Sequence, residues 1–259
     1  MSKETILVTG ASDGIGAVYA DRLAKRGHDL VLVARRADRL ADLAARLRRE
    51  TGAAIDVVAA DLADPQDLAR VEARLRDDDA ITGLVNNAGV AGEGPFVDAD
   101  PAQIGAMIAL NVTAVARLAG AIAPRLAARG AGTIVNVGSV TALMPDAFTA
   151  VYPATKAFVL AFTEAIAKEL GPHGVRVQAV LPGVTRTAIW EAGRLAALPE
   201  EMVMDVEDMV DAALAGLDLG ETITIPSLPD VEDLAAFLAA RARLAPNLSR
   251  QTPAARYAR

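Results

Sequence analysis

The chain has 259 residues, 53% of them hydrophobic and 3% aromatic, with a formal net charge of −7 at pH 7. So much apolar material supplies a sizeable core, whereas an acidic balance with few rings speaks against polyanion binding and stacked bases. Cysteine is absent, which excludes disulfides, cysteine–zinc sites and thiol catalysis.

The only histidines, His28 and His173, each precede a predicted strand and suit turn or surface positions, not metal or acid–base work. Residues 1–4 run straight into a strand and leave no room for a signal peptide. No apolar run approaches the ~20 residues of a membrane span. The expectation is a soluble cytoplasmic protein with no metal, no nucleic-acid partner and no membrane contact.

Residues 5–9 form a β-branched run with both faces apolar, as in buried parallel strands. Gly10, Ala11, Ser12, Asp13, Gly14, Ile15 and Gly16 follow, and a helical pattern then runs through Arg26. Glycines between strand and helix allow a tight turn, close approach of backbone to phosphate, and close helix–strand packing. The helix start adds free N–H groups and partial positive charge, so Gly10, Ser12, Asp13, Gly14, Ile15 and Gly16 are candidates for a dinucleotide pyrophosphate. Asp13 would repel phosphate, and it suits a helix N-cap better.

Residues 29–34 are the second strand, and Arg35 and Arg36 end it. An acid at this strand tip would bind the adenosine ribose hydroxyls. Ala34 stands there instead, followed by two planar forks of donors that match a phosphate, so NADP(H) is favoured over NAD(H). A helix over 38–50 follows, whose Arg46, Arg48 and Arg49 near Glu50 read as a solvated end.

The third strand, 55–60, ends on Asp61 and Leu62, and Asp64 is the expected cap of a helix over 65–78. Asn86, Asn87, Ala88 and Gly89 follow the fourth strand, 81–85, with small side chains and amides that can line a cofactor groove. A long helical pattern over 102–128 contains Asn111 amid Ile108, Leu110 and Val112, where a buried amide needs partners. Gly138 and Ser139 end the fifth strand, 133–137, and so place Ser139 where open parallel sheets bind ligands.

A helix over 152–170 then puts Tyr152 and Lys156 on one face, four residues apart, with Pro153 tolerated in its first turn. A phenol titrates near pH ~10 by itself, and a nearby ammonium favours its phenolate. The sixth strand, 175–181, leads into Pro182, Gly183, Val184, Thr185, Arg186 and Thr187. A mixed segment over 188–204, a helix over 206–217, a strand over 222–225, a helix over 230–240 and an arginine-rich tail complete the chain. Such alternation predicts one doubly wound α/β Rossmann-type domain over 1–259, with a seven-stranded parallel sheet flanked by helices.

Several of these stretches, in this order over about residues 5 to 190, resemble the short-chain dehydrogenase/reductase family. They are Thr9-Gly10-x-x-x-Gly14-Ile15-Gly16, Asn86-Asn87-Ala88-Gly89, Leu110-Asn111-Val112, Ser139 ahead of Tyr152-x-x-x-Lys156, and Pro182-Gly183 ahead of Thr187. The resemblance implies an NADP(H)-dependent oxidoreductase acting on CH–OH donors, interconverting a ketone or aldehyde and an alcohol. Tyr152 would be the general acid/base, Ser139 would hydrogen-bond the substrate oxygen, and Lys156 would lower the phenol's pKa and bind the nicotinamide ribose. Asn111 would anchor a relay water.

It also implies that Asp61, with Leu62, contacts the adenine ring, and that Asn87, Ala88, Gly89, Pro182 and Gly183 line the groove. Thr187 would hold the carboxamide; Thr185 replaces the family's valine and competes for that role. Residues 185–205 would be a substrate lid, and Trp190 with the lid's Met202 and Met204, together with Leu143, Met144 and Phe148, are candidates to line a pocket for a small apolar carbonyl or alcohol. A homodimer or homotetramer would form through the helices around Asn111 and after Tyr152. A catalytically silent NAD(P)-binding sensor is the alternative, and the presence of both Tyr152 and Lys156 speaks against it.

Overall fold

Seven strands among the described residues run parallel, in the order β3-β2-β1-β4-β5-β6-β7. They are β1 (Thr5–Thr9), β2 (Asp29–Ala34), β3 (Ile55–Ala59), β4 (Ile81–Asn86), β5 (Gly132–Val137), β6 (Val175–Val180) and β7 (Ile223–Thr224). This is the doubly wound sheet that the alternation of elements predicts. The computed structural model describes residues 3–92, 94–147, 149–187, 195 and 198–257. They fall into two compact units, Met1–Pro226 and Ser227–Arg259.

Within the first unit, alternate side chains of each inner strand feed opposite layers, as the pleat requires. Val8, Leu30 and Leu32 join one core with Tyr19 and Leu23 of α1 (Gly14–Lys25), Leu40 of α2 (Ala37–Thr51) and Val210 of α7 (Val206–Leu219). Leu7, Val31 and Val33 join the other with Leu68 and Leu75 of α3 (Pro65–Asp77), where Asp64 Oδ1 caps the helix by accepting from Gln66 N at 2.8 Å. The second unit holds α8 (Val231–Ala242), capped by Asp230, with none of its residues buried.

The long helix is not uniform. It runs as α4 (Pro101–Ile108), a π-helical turn over Ala109–Ala114, and α5 (Val115–Arg129). The expectation that no stretch is long and apolar enough for a membrane span is also corrected. Pro101–Arg129 passes on length and composition, with a mean hydropathy of 1.7 over an 18-residue window. Asn111, Thr113 and Arg117 interrupt the apolar runs, but an average over a window tolerates them. In this fold the helix lays Ala114, Leu118, Ile122 and Leu126 onto the sheet as a core element.

Two smaller expectations change. His28 occupies the turn between α1 and β2 but is buried, its Nδ1 accepting from Glu4 N at 3.3 Å, and burial depresses its pKa. Arg46 does more than end a solvated helix: its Nη1 reaches the buried Asp21 at 2.9 Å, which also takes Arg22 and Lys25. Burial opposes that carboxylate's charge, and hydrogen bonds from Lys25, Arg46 and Arg22 outweigh it and hold the group below its ordinary range.

A polar ladder crosses the sheet beneath the strand ends. Asn86 and Asn136 are register partners on β4 and β5, and Asn86 Nδ2 donates to Asn136 Oδ1 at 2.9 Å. Asn136 Nδ2 donates to Thr163 Oγ1 at 3.0 Å on α6 (Val151–Leu170), and Asn86 Nδ2 also donates to Val115 O at 3.3 Å. Because these groups are out of water, each lost partner leaves a desolvated dipole. Asn136→Ala is expected to destabilise the protein by about 1–3 kcal/mol. An unchanged urea midpoint would show that the ladder contributes nothing.

Candidate active site

The sheet order reverses direction between β1 and β4, and their carboxyl ends open the crevice where such sheets take ligands. Thr9 stitches the two strands there. Its Oγ1 donates to Val85 O at 3.3 Å and accepts from Asn87 N at 2.9 Å and Ala88 N at 3.0 Å. Asn87 Nδ2 returns to Thr9 O at 2.9 Å.

Helix α1 begins against this junction with almost no clearance. A Cβ on Gly16 would lie 2.5 Å from Asn87 Nδ2 and closer still to Gly10 O. Gly10 has φ +66°, and its Cβ would lie 2.7 Å from the same Asn87 nitrogen. The backbone alone therefore lines the turn, as close approach by a pyrophosphate requires. Asp13 is the N-cap expected, its Oδ1 accepting from Gly14 N at 2.7 Å, and Ile15 packs against the core.

At the tip of β2, Arg36 donates to Ser12 Oγ at 3.2 Å and to Asp13 Oδ2 at 3.3 Å. Arg35 is more exposed, with Nη1 3.9 Å from Asp61 Oδ2. Asp61 Oδ1 accepts from Ala63 N at 3.0 Å, and Leu62 is buried beneath. Arg39 escaped the sequence reading, although it stands three residues beyond Arg36 and so shares its helix face. Its Nη1 reaches Asp13 Oδ2 at 2.8 Å.

The catalytic candidates meet between β4, β5 and α6. Ser139 accepts from Thr141 N at 3.2 Å and lies close enough to the Tyr152 phenol to lower its pKa against the effect of burial. Lys156 is buried, donates to Val137 O at 2.9 Å and sits 5.7 Å from the Tyr152 ring centroid. Gly89 makes room: a Cβ there would lie 3.2 Å from Asn111 Oδ1 and 3.6 Å from Lys156 Nζ.

Asn111 is 1% exposed, and its carboxamide is engaged at both ends. Oδ1 accepts from Val90 N at 2.9 Å, and Nδ2 donates to Val90 O at 2.8 Å and Thr155 Oγ1 at 3.1 Å. Thr155 Oγ1 donates in turn to Tyr152 O at 2.7 Å. The side chain thus anchors the loop after β4 to α6. Neither Thr155 nor Val90 carries a signal in the sequence, because each acts through one contact made only in the folded chain.

Titration differs from the sequence expectation. Burial pushes the Tyr152 phenol above its ordinary value, with the Ser139 hydrogen bond pulling the other way, so a lowered phenol pKa is not what these surroundings produce. Burial also brings Lys156 down to about 8, so its charge is itself pH-sensitive near neutrality.

The segment after β6 closes the groove. Pro182 O accepts from Val140 N at 3.0 Å, and Thr185 is buried, donating to Gly183 O at 3.2 Å. Thr187 faces the glycine turn, its Cγ2 3.2 Å from where a Gly14 Cβ would stand. Met204 N donates to Val184 O at 2.9 Å, and Arg186 pairs with Asp205 at 2.9 Å. Leu143 packs against Leu160 and Leu181, and Met144 is exposed. Phe148, Ile189 and Trp190 lie outside the described residues.

A family model for short chain dehydrogenases matches residues 4–196. A short-chain dehydrogenase from Sphingobium yanoikuyae, solved in complex with NADPH, is 50% identical, with a TM-score of 0.95 over 98% of this chain and 100% of that one. A bulky-bulky ketone specific alcohol dehydrogenase from Comamonas testosteroni is 47% identical, with a TM-score of 0.93 over the full length of both chains. A very-long-chain 3-oxoacyl-CoA reductase of Podospora anserina is 34% identical over 229 residues, covering 85% of this chain and 65% of the relative.

Two glycines provide a test of the packing. Gly16→Ala forces its methyl into Gly10 and Asn87, and is expected to cost about 1–3 kcal/mol as overpacking. Gly105, in α4, has nothing within 4 Å of its added Cβ, so Gly105→Ala is expected to gain about 0.5–1 kcal/mol from helix propensity. Urea melts read both signs, and equal shifts would refute the tight junction.

Proposed function

The chain belongs to the short-chain dehydrogenase/reductase family, and on that premise we propose that it is an NADP(H)-dependent oxidoreductase interconverting a ketone or aldehyde and an alcohol. The observation that carries the reading is the buried Lys156 ammonium 5.7 Å from the centroid of the Tyr152 ring, with Ser139 near enough to the phenol to pull its pKa down against burial. When bound, the nicotinamide supplies or accepts the hydride. The protein's own work concerns the proton.

In reduction, Tyr152 Oη donates a proton to the developing alkoxide, and Ser139 Oγ hydrogen-bonds that oxygen as charge builds. In oxidation the same oxygen takes the alcohol proton. Lys156 lends positive charge to the phenolate and offers its ammonium to the nicotinamide ribose. Asn111 braces the loop after β4 against α6 and so keeps this edge of the site, including any relay water, in register. Thr187 takes the carboxamide, a reading supported by its family spacing after Pro182-Gly183 and its place against Gly14. Both threonine hydroxyls donate to carbonyls of their own loop, Thr187 Oγ1 to Thr185 O at 3.4 Å and Thr185 Oγ1 to Gly183 O at 3.2 Å.

Ala34 at the tip of β2, followed by Arg35 and Arg36, supports NADP(H) over NAD(H). Asp61 and Leu62 take the adenine end. An exposed Met144 and the likeness to a dehydrogenase specific for bulky-bulky ketones support a large apolar carbonyl substrate. The small-residue faces of α5 and α6 support a homodimer or homotetramer.

Tyr152→Phe is expected to lower turnover by at least ~10²–10⁴-fold, the typical reach of general acid catalysis, while NADPH binding by calorimetry stays near its original value. Retention of most turnover would remove Tyr152 from the chemistry.

The pH profile gives an independent check. Burial raises the Tyr152 pKa above its ordinary value, so the first alkaline limb in ketone reduction reports Lys156. Its charge is present below about 8 and lost above. Turnover is expected to be level at neutral pH and to fall as pH passes about 8, with Lys156→Arg shifting the limb upward. A profile with no fall as pH passes about 8 in the unaltered protein would show that the ammonium is not needed.

A further inference from the structure

We propose that Arg39 is a third guanidinium of the subsite for the cofactor's ribose 2′-phosphate, set beside Arg36 by Asp13. The inference rests on the NADP(H) reading and adds a specificity residue that neither glycine spacing nor the strand tip indicates.

Arg36 is the N-cap residue of α2 and makes no side-chain cap bond, and Arg39 lies in the helix's first turn. Cations at a helix start oppose its dipole, so helix stability does not account for them. One carboxylate oxygen gathers both: Asp13 Oδ2 accepts from Arg39 Nη1 at 2.8 Å and from Arg36 Nη2 at 3.3 Å. The other, Oδ1, is committed to Gly14 N at the start of α1. Asp13 is thereby fixed by the phosphate turn, and it fixes two guanidiniums at the groove's adenosine end.

Among the described residues, Arg35, Arg36 and Arg39 share only two ion-pair partners, Asp13 and Asp61, with Asp38 unpaired beside them in the first turn of α2, and the Arg35–Asp61 pair is stretched to 3.9 Å. A phosphate monoester carries about −1.5 to −2 charges at pH 7 and three acceptor oxygens, which suits forks converging from two neighbouring helix positions. The rival account is that Arg39 merely screens Asp13 from the pyrophosphate. Such screening would not distinguish ligands that differ only at the 2′ position.

Calorimetric titration of the full chain with 2′,5′-ADP and with 5′-AMP tests this without any turnover. The unaltered protein is expected to prefer 2′,5′-ADP, and Arg39→Ala to cut that preference about 10- to 100-fold, the scale of a lost charged hydrogen bond. The double variant Arg39→Ala with Asp13→Asn, which needs no screening, is expected to stay equally unselective. If the unaltered protein shows no preference, the NADP(H) reading falls and this inference with it. If it prefers 2′,5′-ADP and Arg39→Ala keeps the ratio while weakening both ligands alike, Arg39 is only a screen and the inference alone is overturned.

Discussion

The nearness of β1 to β4 at their carboxyl ends is the constraint on which the site depends. Thr9 and Asn87 tie the two strands together with four hydrogen bonds, and Gly10 and Gly16 leave no side chain between them and helix α1. That closeness aims the start of α1 into the crevice. It also sets Asp13, and through Asp13 the arginines beyond β2. A phosphate turn and a charge cluster from separate helices thus share one mechanical origin.

The catalytic side is held by a different kind of force. Its hydrogen bonds are buried, so each is strong locally and costly to leave unmade. The ladder from Asn86 through Asn136 to Thr163 locks α6 to the sheet, and Lys156 adds a further tie to Val137 O. Asn111 and Thr155 then join α6 to the loop after β4. Tyr152 and Lys156 owe their relation to each other to helix periodicity, and their relation to the crevice to this polar scaffold. Burial that rigidifies the scaffold also raises the phenol's pKa and lowers the ammonium's, which leaves proton transfer dependent on neighbours more than on intrinsic acidity.

Much of this was legible in the chain because it is written at short range. β-branched runs, the glycine spacing, the Tyr152–Lys156 interval and the caps Asp13 and Asp64 each declare themselves within a few residues. Their convergence follows from the alternation of strands and helices, which permits few topologies. What stayed hidden acts at long range. Thr9 meets residues more than 70 positions away, Arg46 reaches Asp21 on another helix as well as Glu50 on its own, and His28 is buried in its turn. Arg39 gains its place through Asp13, 26 positions earlier. The π turn is invisible to periodicity because 106–116 is apolar at every position but Asn111 and Thr113, so a shift in phase there leaves no mark in the pattern.

That extra residue carries an obligation of its own. A π turn holds one more residue than the α-helical path it replaces, and removing one would restore a regular helix while rotating everything beyond it by about 100°. Leu118, Ile122 and Leu126 would then swing off the sheet. Keeping those three in the core and the Asn111 carboxamide on Val90 at once requires the irregularity. A single deletion within 109–114 therefore cannot keep both the sheet-facing side chains and the Asn111 anchor in place.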